Sequence, residues 1–139
     1  MSSILILEDA KKMAEKAVQK ANEIGIKISV AIYDVNGHLV LLERMDGAAW
    51  IIPDLAMAKA YTAVAFRLLG EKYSDSGAVG RNFAEVQSLL FSLSIKHDGK
   101  IIGRQGGLPI IKAGVIVGGI GVSGGSPDQD ETCARAALS

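Results

Sequence analysis

"VGGIGVSGG", Val117 to Gly125, decides how this chain folds, because two unrelated motifs overlap in it. Gly119-x-Gly121-x-x-Gly124 matches the dinucleotide fingerprint, and Gly121-x-Ser123-x-Gly125 matches the nucleophile elbow of α/β-hydrolases. Each motif needs a parallel sheet around it. The fingerprint requires strand, glycine turn, helix and a second strand, with an acid about 20 residues beyond. Only 15 residues follow Gly124, and they read as a single helix. The elbow requires a histidine base, yet both histidines, His38 and His97, precede Ser123 and lie in turn-like segments. Neither motif finds its architecture here. What remains is a strand feeding a helix through glycines. Free backbone N–H groups at such a junction suit a carboxylate or a propionate. The simpler account is that the glycines let a helix pack closely on the strand.

Outward from this segment, "VIVGGIGVS" reads as the last of three short strands, after "GKIIGRQ" and "LPIIK", separated by Gly-Gly and Ala-Gly turns. Downstream, Ser126-Pro127-Asp128-Gln129 carries a capping serine, a proline at the first helical position and Gln three residues on. Upstream, "LEDAKKMAEKAVQKANEIG" has apolar residues at helical spacing and Gly25 past its end. "IKISVAIYD" and "HLVLLERM" read as strands paired antiparallel through Asn36-Gly37. A helix opens at Pro53 and runs through "DLAMAKAYTAVAFRLL" to Gly70; "EKYSDSGAVGRN" reads as loop, and "FAEVQSLLFSL" as a shorter helix. The order predicts an α+β domain occupying residues 1–139: an antiparallel sheet covered by helices.

Charge and composition narrow the function. Fifteen Lys and Arg balance fifteen Asp and Glu, so nothing in the charge favours nucleic acid or an anionic membrane. Apolar runs are too short to span a bilayer, and no export signal opens the chain. The single Cys133 has no disulfide partner and no metal-ligand spacing; no metal site is expected, and a cytoplasmic location is. Hydrophobic residues make up 49% of the chain and mean hydropathy is +0.28. A small domain has much surface for its volume, so some of this material stays exposed. That predicts a homo-oligomer, with Trp50, Ile51 and Ile52 contributing.

"GGLPI" at Gly106 to Ile110 and "VGGIGVSGGSPDQDETCARAAL" to Leu138 resemble the signature of the GlcG/HbpS-like family. This is a haem-degrading or haem-binding domain family, also found as the C-terminal domain of PduO-type corrinoid adenosyltransferases. "RMDGA" at Arg44 to Ala48 and "AMAKAYTA" at Ala56 to Ala63 are similar to its earlier motifs. The resemblance implies a profilin-like fold: a five-stranded antiparallel sheet flanked by helices on both faces, and self-association. It also implies a small accessory protein linked to haem, or to glycolate or B12-dependent diol and glycerol metabolism. The chain departs from the family pattern at "SIKHDGKIIGRQ".

The expected ligand site lies where the GGLPI turn, the Gly121–Gly125 segment and the Lys59 helix converge. It comprises Lys59, Gly106, Gly107, Pro109, Gly121, Ser123 and Gly124, with Arg44, Asp46 and Thr62 as neighbours. Haem, or a related tetrapyrrole, is the expected small-molecule cofactor. The alternative is a small enzyme acting on a hydroxy-acid or diol-related metabolite, with no catalytic residue assigned. His38, His97 and Met45 are iron ligands by type. Solvated histidines and a core methionine are the simpler accounts. Asp128 and Glu131 stand i, i+3, suited either to a cation or to the helix dipole. Lys59 interrupts an Ala-rich face, to reach solvent or to hold an anion.

Overall fold

The computed structural model describes residues 4–139. Helix α1 spans Leu7–Ile24; Ala10, Ala14, Ala17 and Ala21 recur every three or four residues and are all buried. Gly25 ends the helix in the left-handed conformation, at φ 78°. Strands β1 (Ser29–Asp34) and β2 (Leu39–Arg44) form the expected hairpin. Four residues, Val35, Asn36, Gly37 and His38, join the two strands. The Asp34 N–H donates to the His38 carbonyl, the Asp34 carboxylate accepts from Asn36 and His38, and Gly37 takes a positive φ. Helices α2 (Ile52–Ala65), α3 (Ser76–Asn82) and α4 (Gln87–Lys96) follow, then β3 (Gly107–Lys112), β4 (Val115–Ser123) and α5 (Pro127–Leu138). The cap on α5 is a full capping box between Ser126 and Gln129.

The sheet runs β2-β1-β4-β3, antiparallel throughout. One face meets α1 and α5, where Ile28, Val30, Ile32, Ile120 and Val122 pack on the helical alanines and Cys133. The opposite face carries α2, with Ala56, Ala60 and Val64 against Ala31 and Tyr33. Gly119 and Gly121 lie under α2. A Cβ at Gly121 would sit 2.1 Å from the Ala56 carbonyl oxygen, so this close approach needs glycine. Val122 and Ile120 alternate with these glycines toward the other face, which gives one strand two unlike surfaces.

The sheet has four strands among the described residues, not five. "GKIIGRQ" lies beside α2 and α3 as an irregular strap. Its Ile102 N–H donates to Thr62 Oγ1 at 2.9 Å, and its Arg104 carbonyl accepts from the Ser76 hydroxyl. Gly103 presses on Gly80 so closely that a Cβ on either would overlap the other's backbone. Side chains thus satisfy polar groups that a ladder would otherwise take. Two further expectations change. "EKYSDSGAVGRN" holds α3, started by the Asp75 carboxylate accepting from Ala78 N–H at 2.7 Å. Helix α2 ends at Ala65 because Phe66 turns in to pack on Val79 and Ile101, beside Tyr73 and Phe83.

Candidate functional site

Lys59 sits where α2 crosses the ends of β3 and β4, with only 5% of its surface exposed. Its ammonium donates to Asp130 Oδ2 and to the Val122 carbonyl, each at 2.9 Å. Asp130, 3% exposed, enters from the first turn of α5 and accepts the Gly125 N–H on Oδ1 at 2.8 Å. Burial pushes the Lys59 ammonium below its ordinary range and lifts the Asp130 carboxyl above its own. Their mutual hydrogen bond opposes both shifts.

The junction therefore differs from the sequence expectation of free N–H groups. Gly125 N–H goes to Asp130, Ser126 N–H to Gln129 Oε1, and Gln129 N–H to Ser126 Oγ. The anion held at the strand–helix join is the protein's own carboxylate. Lys59 neither reaches solvent nor waits unpaired.

Above this pair lies a small pocket of about 210 Å³, open to solvent and walled by Lys59, Ser123, Ile102, Gln105 and the exposed Arg104 with Ile52 at its side. Gln105 Nε2 donates to Asp128 at 3.1 Å. The Arg104 side chain makes no ion pair or hydrogen bond among the described residues. Ile102 and Arg104 also wall a second, larger groove of about 480 Å³. Phe83, Leu90, Phe91 and Ile101 make that groove apolar. Helix α4 buries no residue fully, and Phe91 is 71% exposed. The strap is thus a shared wall, polar on one side and apolar on the other, with one unpaired guanidinium at the boundary.

Of the expected site residues, Lys59, Ser123 and Gly124 line the small cavity, and Gly106 and Gly107 press on Lys59. Gly121 is covered by α2. Thr62 is buried, receiving Ile102 N–H and so fixing one cavity wall. Arg44 and Asp46 lie apart, in a depression with Asn22 and Lys27, and Pro109 borders another beside Met13 of α1. Asp130, Arg104 and Gln105 were not expected. A lysine on an alanine face was the available signal for Asp130, since a buried ammonium needs a carboxylate.

The remaining candidates resolve individually. His38 is exposed, 3.9 Å from Asp34. His97 caps α4, its Nδ1 2.6 Å from the Tyr61 hydroxyl. Met45 packs against the core, and its sulfur accepts the Ile28 N–H. Glu131 bonds Arg135 while Asp128 takes Gln105, so the two carboxylates turn to different partners. Burial lifts the Cys133 thiol to about 11, which keeps it unreactive. Among the described residues no three His, Cys, Asp or Glu side chains gather as a metal site, and no helix is long and apolar enough to cross a membrane.

Comparison with known proteins adds an independent line. The family described as "Haem degrading protein HbpS-like" matches residues 5–139. An uncharacterized 15.0 kDa protein from the dhaT-dhaS intergenic region of Citrobacter freundii is 34% identical, over 96% of this chain and 89% of its own. A crystal structure of an HbpS double mutant of Streptomyces reticuli aligns with a TM-score of 0.81 at 34% identity, covering 99% of this chain and 87% of that one. The crystal structure of a PduOC:heme complex aligns with a TM-score of 0.79 at 28% identity, covering 97% and 93%.

Proposed function

This chain belongs to the HbpS-like family, and we propose that it is an accessory protein that binds haem or a closely related tetrapyrrole. The observation that carries this reading is the apolar groove along α4 with Arg104 on its wall. A flat macrocycle needs one apolar surface for its plane and a cation for its carboxylates. Phe83, Leu90, Phe91 and Ile101 offer the first, and the unpaired Arg104 guanidinium offers the second. The heme complex of a relative supports the same class of ligand. The link to diol, glycerol or glycolate metabolism that the resemblance implies belongs to this proposal as well.

The groove fits the periphery of haem better than its iron. Protein ligands to haem iron are His, Cys, Met or Tyr, and none of these lines the groove. Bound haem supplies a redox-active iron; this chain's residues hold the ring and its carboxylates. The expected outcome is that haemin and metal-free protoporphyrin bind with similar affinity. Titrations followed by Soret absorbance and by porphyrin fluorescence check this. Arg104→Ala and Phe91→Ala should each weaken binding, the latter by about two- to thirteenfold for a stacking contribution of about 0.5–1.5 kcal/mol. Phe91 is exposed, so the truncation should leave the fold intact. A wild-type protein that perturbs neither spectrum would overturn the proposal.

Self-association belongs to the same reading. Trp50 is 79% exposed, and Ile51 and the α4 residues Leu89 and Ile95 are exposed with it. Ile52, by contrast, is half-buried and borders the small cavity. Sedimentation at micromolar concentration should give a mass above the 14.6 kDa chain, and Trp50→Ser should shift it toward that value. A wild-type monomer would reject this part.

A further inference from the structure

We propose that the small pocket between α2, the 101–105 strap and the start of α5 binds a short monocarboxylate, with the Arg104 guanidinium as its anion receptor. This goes beyond the haem reading and does not depend on it. Size sets the ligand class. The cavity measures about 210 Å³; at about 30 Å³ per water, that is room for roughly seven waters. An acid of three or four carbons fits, and a macrocycle does not.

Charge sets the sign. Lys59 and Asp130 neutralise each other, and Asp128 faces Gln105. Arg104 is left as the uncompensated charge on the wall. Its guanidinium is near enough to the buried pair to disfavour the charged form of Lys59 and to favour that of Asp130. A carboxylate seated on Arg104 would screen its repulsion of Lys59, so ligand and pair are mutually compatible.

Two further features shape the site. Ser123 is 3% exposed, and its side chain forms no hydrogen bond within the described residues. This hydroxyl is not shut off from solvent; on a cavity wall and free of protein partners, it is placed to meet a second polar group on the ligand. Ile52, Leu55 and Ile102 supply apolar contact for the short carbon chain. Guanidinium, hydroxyl and apolar wall together describe a small carboxylic acid that carries a hydroxyl.

Lactate, propionate and propionamide separate these contributions, with binding to the wild-type protein followed by calorimetry and ligand-observed NMR. Lactate should bind more tightly than propionate, and propionamide should not bind measurably. Arg104→Ala should weaken both acids by at least about tenfold, the scale of a lost charge-assisted hydrogen bond. Ser123→Ala should remove only the advantage of lactate over propionate. Arg135→Ala, on the outer face of α5, serves as the charge control and should change nothing. Equal binding of propionamide and propionate, or full retention of lactate by Arg104→Ala, would overturn the assignment. So would the absence of lactate binding to folded wild-type protein at tens of millimolar. A protein that binds lactate but not haemin would keep this site and reject the tetrapyrrole; the reverse result would do the opposite.

Discussion

Lys59→Met should destabilise the protein by about 3–5 kcal/mol near neutral pH, the cost of leaving a buried charge without its partner. The orphan is Asp130, 3% exposed and left with the Gly125 N–H. The loss should shrink in acid, because a protonated Asp130 carries no charge to desolvate. The double variant Lys59→Met with Asp130→Leu should recover most of the stability, or exceed wild type. Directions of titration explain why. Asp130 has a raised folded pKa, so the folded state binds more protons and its contribution falls as pH rises through that range. Lys59 has a lowered folded pKa, so the folded state binds fewer protons and its contribution recovers only as pH rises toward the free lysine value. Between the two, where both are ionised, the pair contributes least. Its desolvation outweighs its attraction, and two well-packed apolar residues would not carry that cost. Denaturant unfolding of the four proteins from acid to neutral pH gives the coupling directly. If Lys59→Met is neutral at pH 7, the pair is not closed in solution.

Much of the fold was legible because its signals are local. Alternation in "VIVGGIGVS", the capping box at Ser126 and the alanine spacing of α1 each act within a few residues. The strap was not legible, since Ile101 and Ile102 look like strand residues. Their setting is decided by Thr62, Ser76 and Gly80, which lie 20 to 40 positions away. The same distance problem hid half of the site. Lys59 is visible as an anomaly, but Asp130 is 71 residues further on, and the sequence singles out its helix neighbours Asp128 and Glu131 instead. Only packing shows which of the three acids turns inward. Arg104 was hidden for another reason: an unpaired surface arginine has no pattern in sequence, and its meaning comes from the two cavities it divides.

Gly121→Ala should cost well over 3 kcal/mol, beyond the usual overpacking range of about 1–3 kcal/mol, despite a conformation that favours it. Gly121 is in regular strand geometry, where alanine alone would gain about 0.5–1 kcal/mol from a less flexible unfolded chain. Packing forbids the change. The new methyl would lie 2.1 Å from the Ala56 carbonyl oxygen and 2.5 Å from the Ala60 nitrogen. Those are backbone atoms of α2, so no rotamer can move aside and the helix itself must lift. Overpacking against mobile side chains costs about 1–3 kcal/mol; displacing a helix should exceed that range and take a large share of a small domain's stability. Gly25→Ala is the matching control, because nothing lies within 4 Å of its added Cβ while its φ is positive. That variant should lose only the left-handed penalty of about 1–2 kcal/mol. The Lys59 Cβ lies 3.0 Å from the same added methyl, so lifting α2 also pulls the ammonium from Asp130 and opens the cavity wall. Gly121→Ala should therefore lose ligand binding at denaturant concentrations where Gly25→Ala keeps it. Equal stability of the two variants would mean that α2 does not rest on the glycine seam of β4, and the tight join between helix and sheet would need another cause.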